Sequence, residues 1–484
     1  MNQAQIPSWQ TVRTTFQQIW GYEDFRPPQG EIVQSLLAKK DTLIIMPTGG
    51  GKSICFQLPA LLQTGLTLVV SPLVALMENQ VQELKERKLK AALLHSQLSS
   101  SQRRQTLQAL ERQQLRLLYL SPETLLSPPV WERLSHPELV INGLILDEAH
   151  CLVQWGDTFR PAYRRLGAVR PALLKSKRRG TKIALAAFTA TADPLAQTVI
   201  SETLRLQQPA VFKLNPYRSN LNPNVRIIWT PQGRRQQLFK FIHKNQHSSG
   251  LVYARTRKDT ENLAAWLTQK GYKTASYHGG LGAEARRQIE ASWLGGKIPF
   301  VVCTSAFGMG INKPDVRWVI HYQAPLLLSE YVQEIGRAGR DGKPAEAMTL
   351  ISEPTGLLNP EDKQRQKFFE DKLREQQLTA KQLIKKLPAK GELEAVKKKN
   401  PDAVLALSLL HSMGKLKWID PFNYSIDKNS KKESNNNQQQ LNPTNQMQQY
   451  LNTRKCRWQF LLTAFGFEKE ATNLRCGHCD NCRK

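Results

Sequence analysis

Leu43-Ile44-Ile45-Met46-Pro47-Thr48-Gly49-Gly50-Gly51-Lys52-Ser53 decides the reading of this chain: an apolar run, a glycine-rich turn and a lysine–hydroxyl pair follow one another without a gap. A strand, a glycine loop and a helix in this order let backbone N–H groups and a helix N-terminus cradle phosphates. Thr48, Gly49, Gly50 and Gly51 form the cradle, Lys52 reaches the β/γ-phosphates, and the Ser53 hydroxyl binds Mg²⁺. The strict eight-residue pattern has glycine where Met46 stands, and a tight glycine turn would read the same way in isolation.

The surroundings of this stretch extend the pattern. TLVVSP, RLLYLSP, GLILDE and KIALAAFTATA follow it, then GLVYART, KTASYH, PFVVCTS and VRWVIHY, each of strand length and most leading into a helix-compatible segment. Such β-then-α repetition predicts an α/β protein with two doubly wound parallel sheets. The expected boundaries are 1–207 for the first, ATP-binding domain and 208–352 for the second. Pro209 to Pro223 reads as a loop-rich connection between them.

Leu144-Ile145-Leu146 runs into Asp147-Glu148-Ala149-His150, a strand ending in adjacent carboxylates. Asp147 can hold Mg²⁺ through its water shell and Glu148 can orient and deprotonate the attacking water. Two acids at a strand end can also be solvated caps, but downstream of a phosphate loop they complete an ATPase site. In QEIGRAGRDG, Arg337 and Arg340 stand three residues apart, so on a helical turn both guanidinium groups face one way and can neutralise charge on a transferring phosphoryl group. By itself that motif would be a basic surface turn.

The chain has 484 residues, 68 Lys+Arg against 40 Asp+Glu and a formal net charge of +28, which points to a polyanionic partner. A hydrophobic fraction of 40% supplies real cores and argues against a disordered basic tail. No stretch reaches the ~18–20 apolar residues of a membrane span, and the N-terminus lacks a signal-peptide pattern, so the expected location is cytoplasmic, associated with the chromosome. Of seven cysteines, Cys456, Cys476, Cys479 and Cys482 crowd the last part of the chain. Cys-x-x-Cys-x-x-Cys with a fourth thiol upstream suits a closed tetrahedral Zn²⁺ site of structural role, with His478 as a competing ligand in principle.

Taken in order, FRPPQ, MPTGGGKS, SPLVALMENQ, DEAHCLVQWGDTFRP, FTATAD, YHGGL, AFGMGINKPDVR and QEIGRAGRDG resemble the motifs of superfamily 2 helicases, and more closely the RecQ family of DNA helicases. The resemblance covers about 10–352 and resumes at about 445–484. It implies that the two sheets are RecA-like motor domains, followed by a helical, zinc-stabilised C-terminal module. It implies an ATP- and Mg²⁺-dependent DNA helicase of 3′→5′ polarity, acting on single-stranded and forked or duplex DNA in recombination and repair. It implies that Gln29 reads the adenine edge between Tyr22 and Arg26, that Thr189-Ala190-Thr191 couples ATP state to DNA, and that Gly308–Asn312 lines the cleft between lobes. It further implies that the aromatic-rich loop with Gln154, Trp155, Phe159 and Arg160 senses single-stranded DNA, where exposed rings stack on bases; two rings padding a core is the alternative. The chain departs from the family at Asp157-Thr158 and at Asn79.

The family's winged-helix and helical C-terminal domains have no counterpart after Cys482. Instead, 353–450 reads as a helical insertion with a possible winged-helix-like unit over Leu378–Tyr424 and an Asn/Gln-rich linker, before a zinc module at 451–484. Its lysines at 381, 385, 386, 390 and 397–399 suggest duplex contacts. An RNA-remodelling or annealing ATPase, and a non-enzymatic zinc-stabilised DNA-binding platform, are the alternative functions.

Overall fold

The computed structural model describes residues 7–154, 161–308, 311–427 and 444–483. These fall into two compact units, drawn from Met1–Met46, Gly50–Leu214 and Glu375–Asn437 on one side and from Pro47–Gly49, Asn215–Arg374 and Gln438–Lys484 on the other.

The first unit is built on a seven-stranded parallel sheet: β1 (Thr42–Ile45), β2 (Leu66–Val70), β3 (Ala91–Leu94), β4 (Leu117–Leu120), β5 (Ile141–Leu146), β6 (Ala184–Thr189) and β7 (Ala210–Lys213), ordered β3-β4-β2-β5-β6-β1-β7. Strands β1, β2, β4, β5 and β6 are buried along their whole length. That burial explains why they read as predominantly apolar runs: helices cover both faces. Each fully buried aliphatic side chain contributes about 1.5–3 kcal/mol. Neighbouring β5, β6 and β1 end at Leu146, Thr189 and Ile45, so the Asp-Glu-Ala-His, Thr-Ala-Thr and glycine-loop segments leave the same edge of the sheet side by side. Ligands bind at that carboxyl edge in open α/β sheets.

Asp41, just before β1, ties together the opposite, amino-terminal edge of the sheet. Its Oδ1 accepts from Arg170 Nη1 at 2.6 Å and from the Leu185 amide at 2.9 Å, and its Oδ2 from the Gln207 amide at 2.7 Å. Arg170 Nη2 in turn donates to the Arg205 carbonyl at 2.6 Å.

The second unit carries a six-stranded parallel sheet, β8 (Leu221–Ile228), β9 (Ser249–Tyr253), β10 (Thr274–Tyr277), β11 (Phe300–Cys303), β12 (Val316–His321) and β13 (Ala345–Ser352), ordered β10-β11-β9-β12-β13-β8. The expected loop at 209–223 is corrected here, since it contains β7 and the first residues of β8. Both are edge strands, and Pro223 is tolerated because an edge position needs no amide on its outer side. The half-buried alternation of β7 and the proline of β8 hid them from a reading tuned to buried runs.

The residues after 352 divide between the units. The helix Glu361–Lys386 begins with the second, where Asp362 pairs with the fully buried Arg234 at 2.9 Å. From Glu375 the chain belongs to the first unit. There the helix end, β14 (Lys390–Glu392), helices Leu393–Lys399 and Ala403–Ser412, β15 (Leu416–Trp418) and β16 (Asn423–Ile426) enclose a core of Leu383, Leu387, Leu407, Leu410, Trp418 and Tyr424. The three strands form an antiparallel sheet ordered β14-β16-β15.

This small body is fastened to the motor sheet's periphery. The helix Ala403–Ser412 packs on the 3₁₀ helix Pro161–Ala168, and Ala168 enters its core. Phe422 meets Trp131 edge-on at 5.2 Å, Arg205 Nη2 donates to the Trp418 carbonyl at 2.6 Å, and Arg165 Nη1 to that of Pro421 at 3.2 Å.

The low-complexity segment expected as a linker lies mostly outside the described residues, but its end is helical. Thr444–Asn452 buries Met447 and Tyr450 in the second unit. Among the described residues, no helix is long and apolar enough to cross a membrane.

Candidate nucleotide site and zinc centre

The glycine loop turns between β1 and the helix Lys52–Leu62. Gly49 and Gly51 adopt φ of 85° and 76°, and Gly51 caps the helix in the left-handed region. A Cβ on Gly51 would stand 2.4 Å from Gln29 Nε2, so only glycine fits. Met46 takes the place of the pattern's first glycine without strain. Its side chain is buried in the core, and its carbonyl accepts from Lys52 Nζ at 3.0 Å. The lysine ammonium is thereby held at the strand end, beside the glycine loop.

Gln29 is buried and bound at both ends: Oε1 accepts from the Arg26 amide at 3.0 Å, and Nε2 donates to the Gly50 carbonyl at 2.9 Å. One side chain therefore ties the segment before the helix Gln29–Leu37 to the glycine loop. Tyr22 and Arg26 are exposed beside it, Tyr22 by 52%.

At the end of β5, Asp147 is buried and Glu148 adopts a positive φ of 51°, a conformation uncommon for a non-glycine residue. Burial, then the neighbouring Glu148, pushes the Asp147 carboxyl up to about 6, against the pull of Lys52. Two crowded carboxylates facing a lysine fit a divalent cation, which would relieve both causes at once. Asp147 Oδ2 also accepts from Gln80 Nε2 at 3.4 Å. Gln80 is a site residue that sequence reasoning passed over while noting Asn79 next to it. Asn79 itself is exposed on its helix.

His150 completes this half-site. Its Nδ1 lies 3.2 Å from Glu148 Oε2 and 3.3 Å from Thr189 Oγ1, and Thr189 Oγ1 donates to the Thr191 carbonyl at 3.0 Å. Burial opposes the imidazolium, yet Cys151 and Glu148 raise His150 to about 10.

In the second unit, Arg337 Nη1 donates to the Gly308 carbonyl, and Arg340 Nη1 to the Ile311 carbonyl at 3.0 Å and Asn312 Oδ1 at 3.1 Å. Gly308 has φ of 93°, and a Cβ there would lie 2.7 Å from Arg337 Nη1. Both arginines thus rest on the loop after β11, and neither Nε has a hydrogen-bond partner among the described residues. The helix Leu328–Ile335 that leads into them is pinned by Glu334, which takes two bonds from Arg255 at 3.0 and 2.7 Å and one from His321 at 2.9 Å. Burial disfavours that carboxylate, but Arg255 and His321 hold it down at about 2.

The four cysteines converge as expected from their spacing: the Sγ atoms of Cys456, Cys476, Cys479 and Cys482 all lie within 4.8 Å of one another. Amides already point at three of the sulfurs, Cys476 N to Cys456 at 3.5 Å, Arg457 N to Cys479 at 3.4 Å and Cys479 N to Cys476 at 3.3 Å. This donor set fits a tetrahedral Zn²⁺ with thiolate ligands. His478 turns to Tyr217, with Nε2 3.3 Å from its hydroxyl. The module rests on the edge of the second sheet through Asp480, which pairs with Arg457 at 2.9 Å and accepts from the Val225 amide at 3.1 Å, and through Trp458 Nε1, which donates to the Leu221 carbonyl at 3.1 Å. Of the aromatic-rich loop, Trp155, Phe159, Arg160 and the side chain of Gln154 lie outside the described residues.

The phosphate loop, the Asp-Glu-Ala-His strand end, two parallel-sheet lobes and a Cys₄ centre define a superfamily 2 helicase motor with a zinc module. Family models agree along the chain: DEAD/DEAH box helicase over 26–199, helicase conserved C-terminal domain over 233–342 and RecQ zinc-binding over 419–483. The chain is 53% identical over 480 residues to the ATP-dependent DNA helicase RecQ of Synechocystis, covering 98% of each. It is also 40% identical to the probable ATP-dependent DNA helicase RecS of Bacillus subtilis, over 70% of this chain and 66% of that one. Among solved structures, Mss116p bound to single-stranded RNA and AMP-PNP superposes with a TM-score of 0.60 at 19% identity, over 72% of this chain and 74% of that one. The chain belongs to the RecQ family of ATP-dependent DNA helicases. ATP, Mg²⁺ and Zn²⁺ are its cofactors.

Proposed function

We propose that this helicase translocates 3′→5′ on single-stranded DNA and opens forked or duplex DNA in recombination and repair, at the chromosome in the cytoplasm. Lys52 binds the β/γ-phosphates, Thr48 to Gly51 cradle them, Ser53 and Asp147 hold Mg²⁺, and Glu148 activates the water. Gln29 reads the adenine edge between Tyr22 and Arg26. Arg337 and Arg340 neutralise the transferring phosphoryl group once ATP draws the lobes together, and Gln154, Trp155, Phe159 and Arg160 report single-stranded DNA. The boundaries 1–207, 208–352, 353–450 and 451–484 remain the proposed division of labour, with a winged-helix-like unit inside the third.

The observation that carries this reading is the chain Glu148–His150–Thr189–Thr191, which runs from the hydrolytic carboxylate to the Thr-Ala-Thr segment in contacts of 3.0–3.3 Å. Matched DNA and RNA strands, then duplexes with 3′ or 5′ tails, test it. ATPase stimulation by DNA and opening of the 3′-tailed duplex support it; equal stimulation and opening on RNA favour an RNA-remodelling motor.

A further inference from the structure

The body formed by residues 375–427 runs helix, strand, helix, helix, strand, strand, the connectivity in which a winged helix uses its third helix to read DNA. Here that helix, Ala403–Ser412, is closed. None of its ten residues is exposed, because one side fills the body's own core and the other packs on Pro161–Ala168. His411 on it is held neutral, its pKa driven down to about 3 by burial, with Arg164 and Arg205 adding to the effect. The turn between β15 and β16 is also occupied, by Phe422 against Trp131.

What stays open is the outer face of the three-stranded sheet. Lys390 and Lys417 both stand opposite Ser425 in the register, on strands either side of β16, so the three side chains form one row across the sheet. Strand spacing puts the two lysine Cα atoms about 10 Å apart with a hydroxyl between them. Both lysines are exposed, and neither has an ion-pair partner among the described residues. The next row on this face is Glu392 opposite Asn423. Trp418 and Tyr424 point inward and are buried, so the face offers cations and a hydroxyl but no ring from its strands for stacking.

We propose that the Lys390–Ser425–Lys417 row is a phosphate-binding face for the backbone of duplex DNA. Unpaired strands are held by stacking platforms combined with basic grooves, whereas a duplex presents phosphates at fixed spacing to a rigid row of cations. The body as a whole carries nine lysines against six acidic residues over 375–427, which favours the same ligand. This inference rests on the DNA-helicase reading above and adds to it a site outside the motor.

Deleting the body would uncover Ala168, Trp131 and the 3₁₀ helix, so the test uses surface substitutions in the full chain. Blunt duplex and single-stranded DNA are titrated by fluorescence anisotropy between 50 and 200 mM salt, against the wild type, Lys390→Ala/Lys417→Ala and Lys390→Arg/Lys417→Arg. The exposed pair Lys270→Ala/Lys273→Ala on the second unit is the control. Two lost phosphate contacts lower the slope of log affinity against log salt by about 2 for duplex, so the wild type loses about tenfold more affinity than the alanine variant across that range. The arginine variant and the control keep the wild-type slope, and single-strand affinity and single-strand-stimulated ATPase are unchanged. An unchanged duplex slope, an equal loss on single strands, or the same loss in the control overturns the proposal. Absence of DNA-stimulated ATPase in the wild type would instead overturn the reading on which it rests.

Discussion

The imidazole of His150 stands 3.3 Å from the Thr189 hydroxyl while its same nitrogen lies 3.2 Å from Glu148. It therefore joins Glu148, the proposed water-activating residue, to the Thr-Ala-Thr segment at the end of β6. In the proposed mechanism a change in Glu148 on hydrolysis would reach Thr189 through a single buried side chain. This is a short mechanical link, confined to one sheet edge where β5 and β6 are neighbours.

We expect His150→Ala and Thr189→Val each to lower strand separation at least about tenfold while leaving nucleotide affinity within about threefold. The double variant should cost no more than the worse single one, because both break the same link. Steady-state ATPase and unwinding measured side by side check this; additive losses would mean that the two residues act separately.

Asp41 offers a stability test remote from the chemistry. Replacing it with alanine strands the buried Arg170 and frees the Leu185 and Gln207 amides. Breaking a buried pair by removing one partner costs about 3–5 kcal/mol. A fall in the melting temperature of the first unit, without a change in zinc content, is the expected result.

Much of this was legible in the sequence because it is local. The glycine loop, the strand-end carboxylates and the cysteine spacing each depend on residues near one another, and β1, β5 and β6 announce themselves as continuous apolar runs. Gln80 escaped because its role exists only where its helix passes β5, 67 residues away in sequence. The split of residues 353–450 escaped for the same reason. Trp131, Arg165 and Arg205, which fasten Phe422, Pro421 and Trp418, carry no signature until the fold brings them together. Part of the positive charge also proved to be internal. Lys177 of the KSKRR run donates to the Leu134 and His136 carbonyls, and burial lowers its pKa to about 8, while Arg178 pairs with Glu138 at 2.6 Å.

Acid should loosen the second unit through Glu334. Its carboxyl sits at about 2 in the fold against an ordinary value of 4.5, so its contribution is full above about pH 4.5 and is lost as pH falls towards 2. The shift corresponds to roughly 3 kcal/mol. Thermal melts from pH 7 down to 3 should show the wild type converging on Glu334→Gln, which starts less stable and has a flatter acid limb. Parallel curves would show that Glu334 does not carry the pH dependence.

Zinc removal should act on structure before chemistry. Cys479→Ser, or a strong chelator, should release the metal and loosen the contacts of Arg457, Asp480 and Trp458 with the edge of the second sheet. We expect near-stoichiometric zinc in the wild type, loss of it in the variant, and new protease cleavage between about 444 and 484. Intact protection without zinc would show that the module holds without its metal.

The most direct test is strand separation by Lys52→Ala, measured together with ATP hydrolysis on a tailed DNA duplex. Among the described residues the Lys52 ammonium hydrogen-bonds the Met46 carbonyl and holds no other part of the glycine loop, so the loop should stay intact and binding to single-stranded DNA should persist. Hydrolysis and strand separation should both fall to background. Retained ATP-dependent strand separation by this variant would contradict the assignment of the phosphate loop as the engine of the helicase.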